Sequence, residues 1–382
     1  MKLWCCYVPN LRFGSCDLNR CKIEKITLFH KQGYYTNEKY SSESEFYIFS
    51  GSNFKNHQLC YDSCNKINMN EKDSKSFAIN KGDVLLVRSG NVGDYAIVES
   101  EVQKAIFGSY LIKFVLNQNL VSNRYFGYFY ESPAFKQQLV KIVQASANTN
   151  INAENIKSIF ISYPSIGFQN KITSFLELID RRIETQNKII EELQSLRKAI
   201  YYEQIKGAKK EEMMISDICD IGRGRVISQQ EIAKQNNPIY PVFSSQTLNN
   251  GIMGYLDNYD FDGEYITWTT DGANAGTIFY HNGKFNCTNV CGTLKTNSEK
   301  VIPYYLFLAL SHEAKRYVST NLGNPKLMNG TMAKIKIKVP SIVVQKTVVN
   351  GSMILDRLID IETKILNALS SQKSYFLANL FI

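Results

Sequence analysis

The chain has 382 residues, 44% hydrophobic and 21% charged, with a net charge of +9, enough for two or three packed domains of an ordinary globular protein. No apolar run is long enough to span a bilayer, and residues 1–9 lack the charged start and apolar core of a secretory leader. Nine cysteines without framework spacing point to reduced thiols in a cytosol.

Residues 1–147 are expected to form a first α/β domain. Runs at 84–87, 95–98 and 110–115 carry the β-branched and aromatic residues of strands, and 125–138 reads as a short aromatic helix. Residues 148–205 follow as a strand, a Pro164-Ser165-Ile166 turn and an amphipathic helix over 165–204. Residues 206–326 return to the first plan, with strands at 265–269, 277–280 and 290–295 and an aromatic helix at 304–317. Residues 327–382 again give strand, turn and helix, the helix over 341–380. Segments 151–202 and 327–378 align without a gap at an offset of 176, with identities that include Ile159/Ile335, Pro164/Pro340, Gln169/Gln345, Asp180/Asp356 and Arg181/Arg357. A fixed-offset repeat implies two equivalent halves. A weaker echo joins the globular regions, where 47–50 resembles 240–244 and the turn at 89–93 resembles that at 270–276.

Each long helix carries a seam that steps by 4 and 3. In the first it is Ile172, Leu176, Ile179, Ile183, Gln186, Ile190, Leu193, Arg197 and Ile200; in the second Val348, Ser352, Leu355, Ile359, Glu362, Leu366, Leu369, Lys373 and Phe376. This is the 3.5-residue period of a coiled coil. Polar residues interrupt both seams at equivalent places, Gln186 with Glu362 and Arg197 with Lys373. In an antiparallel pair they would lie near acidic or amide groups of the other helix and fix its register. Leu358, Ile361 and Ile365 widen the second seam into a stripe that can also serve a second protein. A helix of about 40 residues spans roughly 60 Å, longer than the 34–36 Å between consecutive major-groove half-sites on one DNA face.

Charge is distributed unevenly. The first helix is neutral overall and the second carries +1, so +8 sits in the globular regions. A basic excess confined to those regions is the footprint of a phosphate-binding surface.

Catalytic chemistry is hard to find. There is no phosphate-binding loop of the Gly-x-x-x-x-Gly-Lys-Ser/Thr type. Asn324-Pro325-Lys326-Leu327 lacks the second proline and the aromatic of an amino-methyltransferase motif. Cys60/Cys64 and Cys287/Cys291 share a spacing but lack the further ligands of a zinc site, so no metal and no cofactor are expected.

The order of these features, met twice, resembles the specificity subunit of type I restriction-modification systems. The end of each half carries the resemblance most clearly. In the second half it is Gly323-Asn324-Pro325-Lys326-Leu327-Met328-Asn329, then Ile335, Ile337, Pro340 and Gln345. In the first it is 145–152, then Ile159, Ile161, Pro164 and Gln169, with no glycine in the turn. The strand and turn at 265–272 also look like the family's target-recognition domain. The resemblance implies an α+β chain in which two α/β target-recognition domains are separated by two long antiparallel helices forming a coiled coil. It implies a non-catalytic subunit that reads a split site in double-stranded DNA and docks adenine-methyltransferase subunits on its helices, with a restriction subunit as an optional further partner. Methyl donor and nucleotide would then bind the partners, in the cytoplasm.

Base reading needs Arg, Lys, Asn, Gln, Ser or Thr on loops that reach a groove. In the second domain these are Arg223, Arg225, Ser245 and Gln246. In the first, placed by the weaker internal alignment, they are Lys31, Gln32, Arg88, Ser89 and Asn91. Two other classes compete: a complete DNA-modifying enzyme, against which the missing motifs argue, and a coiled-coil scaffold without DNA binding, against which the strand-rich basic regions argue.

Overall fold

The structure is a computed structural model that describes residues 17–37, 40–62, 64–88, 93–144, 151–245, 251–320 and 323–381. The chain divides into two compact units, Met1–Asn187 with Lys364–Ile382, and Lys188–Thr363. Each unit holds one globular region and part of each long helix.

The two globular regions share one sheet plan. In the first, a four-stranded antiparallel sheet runs Thr27–Gln32, Leu111–Leu116, Val84–Val87, Tyr95–Ile97; in the second it runs Cys219–Arg223, Cys291–Thr296, Glu264–Thr269, Ile278–Asn282. Val84–Val87 is buried at every residue, as a strand covered on both faces requires. A three-stranded sheet lies beside each. Its order is Asn65–Ile67, Phe46–Phe49, Ala105–Phe107 in the first unit and Ile252–Leu256, Tyr240–Phe243, Asn286–Cys287 in the second, the last pair parallel in both. The strand before each long helix joins its own globular region: Phe160–Tyr163 pairs with Asn19–Lys22, and Lys336–Pro340 with Lys210–Met214.

The expected strands are present to within a residue or two. The run 125–138, read as one aromatic helix, is two helices, Asn123–Glu131 and Pro133–Gln144. Pro133 has no N–H and pushes Ser132 into the extended region, so one helix ends before it and another starts at it. In the second unit Pro303–Glu313 continues as a 3₁₀ turn, Ala314–Tyr317. These aromatic helices fill the cores. Tyr125, Phe126, Tyr130 and Phe135 bury completely or nearly so in the first unit, as do Tyr305 and Leu306 in the second, in one cluster with Trp268 of the strand Glu264–Thr269.

The long helices are Ile166–Lys206 and Ile342–Leu380. In the first unit the rings of Phe175 and Phe376 are 4.8 Å apart and Asp180 pairs with Lys373 at 2.8 Å. In the second, Arg197 pairs with Asp356, and Ile200 packs against Gly351. Rising numbers on one helix meet falling numbers on the other, so within each unit the helices are antiparallel. Of the seam residues, Ile172, Leu176, Ile179, Leu355 and Leu369 are buried; Ile183, Ile190, Leu193, Ile359 and Leu366 are half-buried.

The repeated glutamine fastens each helix start to its globular region. Gln169 Nε2 donates to the Pro164 and Leu120 carbonyls at 2.9 and 2.7 Å, and its Oε1 accepts from the Ser122 N–H at 2.9 Å. Gln345 does the same with Pro340, Lys300 and Ile302 at 2.9, 2.8 and 2.9 Å.

Candidate nucleic-acid interface

The singled-out loops converge where Thr27–Gln32 and its counterpart Cys219–Arg223 end. The next residue is a glycine in both units because another backbone passes too close for any side chain. A Cβ on Gly33 would lie 2.0 Å from the Gly108 carbonyl oxygen, and one on Gly224 would lie 2.2 Å from that of Cys287. The Gly33 N–H donates to the Leu111 carbonyl at 2.9 Å, and the Gly224 N–H to that of Cys291 at 3.1 Å. The turn being touched is itself held: the Gly108 N–H reaches the Phe49 carbonyl and the Thr288 N–H that of Phe243, both at 2.8 Å. A third segment joins, with the Arg88 N–H on the Tyr110 carbonyl (2.9 Å) and the Thr270 N–H on that of Val290 (3.0 Å). Gln32, Tyr34, Arg88 and Tyr110 therefore occupy the backbone positions of Arg223, Arg225, Thr270 and Val290.

The side chains at these positions differ in what they leave available. Lys31 is committed internally, with its ammonium on the Ser76 carbonyl at 3.2 Å, on the Ser76 hydroxyl, and 3.9 Å from the Phe77 ring centre. Gln32 is exposed. Arg88 is half-buried and donates Nε to the Ile151 carbonyl at 3.3 Å. Arg223 is exposed and donates Nε to the Asn289 carbonyl at 2.6 Å and Nη2 to Thr270 Oγ1 at 3.0 Å. Arg225 is gripped by two carboxylates, Glu231 and Asp260, at 2.7 and 2.9 Å. Ser245 is half-buried just past the strand Tyr240–Phe243. Ser89, Asn91 and Gln246 lie outside the described residues, as does the first half's turn at 145–150.

The structure adds candidates that sequence reasoning passed over. Lys326 bridges through its backbone to Asp271 and Ser319, which sets an exposed ammonium at the turn that Arg223 buttresses. It stands inside the run 323–329, the one signal that could have marked it. Tyr110 is 63% exposed. Aromatic residues beside strands read as core, so composition alone could not separate it from buried ones.

Burial pushes the Cys64 thiol up to about 12 and that of Cys291 up to about 11, so both stay protonated at neutral pH. Among the described residues no group of three His, Cys, Asp or Glu could hold a metal ion, and no helix is long and apolar enough to cross a membrane.

The sequence profile of the type I restriction modification DNA specificity domain matches residues 21–195 and again 208–371. A putative type I specificity subunit N-terminus of Mycoplasma pneumoniae is 50% identical over 135 residues, 35% of this chain and 71% of that protein. A second putative type I specificity subunit of the same organism is 34% identical over 223 residues, 55% and 80% of the two chains. The crystal structure of a type I restriction-modification S subunit from M. genitalium superposes with a TM-score of 0.58 over 96% of both chains at 18% identity, a likeness of fold.

Proposed function

The chain belongs to the type I restriction-modification DNA specificity family, and we propose that its two globular regions read the two halves of one split site in double-stranded DNA. The observation that carries this reading is the equivalence of the two loop clusters. Two units built to one plan present the same three backbone segments with different side chains, as a reader of two different half-sequences needs. Phosphate contacts position such a protein, and side chains at base edges specify the sequence. Gln32, Arg88, Arg223 and Ser245 are the proposed contacts whose donors or acceptors are least committed, with Lys326 added. Lys31 and Arg225 have internal partners and contribute by holding their loops.

The chain carries out no bond-making step in this account. Adenine-methyltransferase subunits dock on the helices and supply methyl transfer, a restriction subunit can join them, and the assembly works on cytoplasmic DNA. The exposed apolar positions Ile354, Leu358, Ile361 and Ile365 along the second helix support docking, since a helix pair that needed only itself would leave a narrower stripe. The test is binding by the assembled methyltransferase to duplexes with and without its methylation motif across a salt series. Sequence-specific binding that weakens with salt is expected, and replacing Arg223 and Arg225 together should weaken it further. Equal affinity for scrambled duplexes would remove the proposal.

A further inference from the structure

Arg223 and Arg225 leave one strand end on either side of Gly224, and the second unit treats them differently. Arg225 donates Nε to Asp260 at 2.9 Å, Nη2 to Glu231 Oε1 at 2.7 Å, and Nη1 to Glu231 Oε2 at 3.2 Å and the Val226 carbonyl at 3.3 Å. Both edges of its guanidinium are occupied. Arg223 is clamped along one edge only, Nε to the Asn289 carbonyl and Nη2 to Thr270 Oγ1. Among the described residues its Nη1 has no partner, and the side chain is exposed.

The outer edge of a guanidinium, one hydrogen on Nη1 and one on Nη2, matches the O6 and N7 acceptors of guanine in the major groove. A fork already held on its inner edge loses less side-chain freedom when it binds. The same backbone position in the first unit carries Gln32, whose amide matches N6 and N7 of adenine instead. The two units thus place, at one structural position, the two side chains that distinguish one purine from the other.

Resting on the DNA-reading function proposed above, we propose that Arg223 reads a guanine in the major groove of one half-site through its Nη1–Nη2 edge, while Arg225 fixes the loop without touching a base. Thr270 and the Asn289 carbonyl are positioning partners, since they aim the fork and do not reach the DNA themselves.

The experiment uses the chain assembled with its methyltransferase partner and duplexes carrying its methylation motif. Each guanine of the motif is replaced in turn by 7-deazaguanine, which lacks the N7 acceptor. One replacement should weaken wild-type binding roughly tenfold, the worth of one of the two hydrogen bonds of a bidentate contact. The same replacement should change binding by Arg223→Ala less than about twofold, because the partner of N7 is already gone. Arg223→Gln, which copies the first unit, should move the preference at that position from guanine toward adenine. If Arg223→Ala does not assemble, Arg223→Met keeps much of the side-chain length, has no donor for N7, and should show the same missing response. A motif with no guanine, or 7-deazaguanine effects that are equal in wild type and variant, overturns the inference while leaving the DNA-reading function standing. Absence of any sequence-specific binding by the wild-type assembly overturns both.

Discussion

Lys373 Nζ lies 2.8 Å from Asp180 Oδ1 across the helix pair of the first unit, and the repeat partners of these two residues, Arg197 and Asp356, form the same ion pair in the second. One contact is thus made twice by a chain that repeats itself at an offset of 176. Tyrosines reinforce both: Tyr128 donates to Asp180 at 2.7 Å, and Tyr304 donates to Asp356. Lys373 also lies 2.9 Å from Glu131 and is only 17% exposed. Its replacement by methionine should leave Asp180 facing a half-buried space without its cation and Glu131 with His57 alone. A loss of about 2–4 kcal/mol is expected in urea denaturation. A change under about 0.5 kcal/mol, the range of an ordinary surface substitution, would show that the pair does not hold the helices.

Glu131 gives this cluster a pH signature. Burial pushes its carboxyl up, but His57 at 2.8 Å and Lys373 outweigh that and hold it down to about 2. A carboxyl depressed in the folded state stabilises above its unfolded value, and that contribution disappears as the pH falls from about 5 toward 2. Thermal melts should therefore drop steeply through that window, and Glu131→Gln should flatten the drop. A Glu131→Gln protein whose melts follow the wild-type slope would contradict the assignment.

Gln345 is fully buried and satisfies two carbonyls and one N–H at the start of the second long helix. Alanine there leaves all three without a partner, at a cost of about 2–4 kcal/mol. Gln169→Ala should cost a similar amount, and the two losses should add, since each glutamine serves its own unit. Calorimetry of the single and double variants measures this, and a neutral Gln345→Ala would contradict it.

The repeat made the helices, the preceding strands and the Gln169/Gln345 pair legible, because a seam of period 3.5 and a gapless offset are periodic signals. Arg197 and Lys373 were legible as polar breaks in that seam, since a charge at an apolar position needs a counter-charge on the opposite helix. The split at Pro133 was less visible, because aromatic residues on both sides masked a helix end. Least legible were the loops. Arg223 and Arg225 look alike in sequence, and only the positions of Glu231, six residues on, and of Asn289 and Asp260, far along the chain, separate an open fork from a closed one. Gly33 and Gly224 explain themselves only once Gly108 and Cys287 are seen to pass behind them.

Leu358 and Ile361 are 40% and 51% exposed on the second helix. Aspartate at both should change the stability of the isolated chain by less than about 1 kcal/mol in total, as surface substitutions do. Co-purification of the methyltransferase subunit should nonetheless fall sharply, because two charges would have to enter an apolar interface. Unchanged co-purification with both substitutions would place the docking surface elsewhere.

If the helices set the gap between half-sites, deleting 184–190 and 360–366 together keeps the heptad phase and removes roughly 10 Å from each, about three base pairs of DNA. The methylation motif of cells carrying the shortened chain should keep both half-sequences and lose spacer bases. An active assembly with an unchanged spacer would show that the helices are not the ruler.

In the proposed function this chain gives a methyltransferase its sequence. Mapping adenine methylation across the genome of cells that carry the partner subunits, with and without this chain, tests it most directly. Methylation at one motif, two short sequences separated by a fixed unspecified gap, should be present with the chain and absent without it. The same motif methylated in both cells, or a continuous motif with no gap, would contradict it.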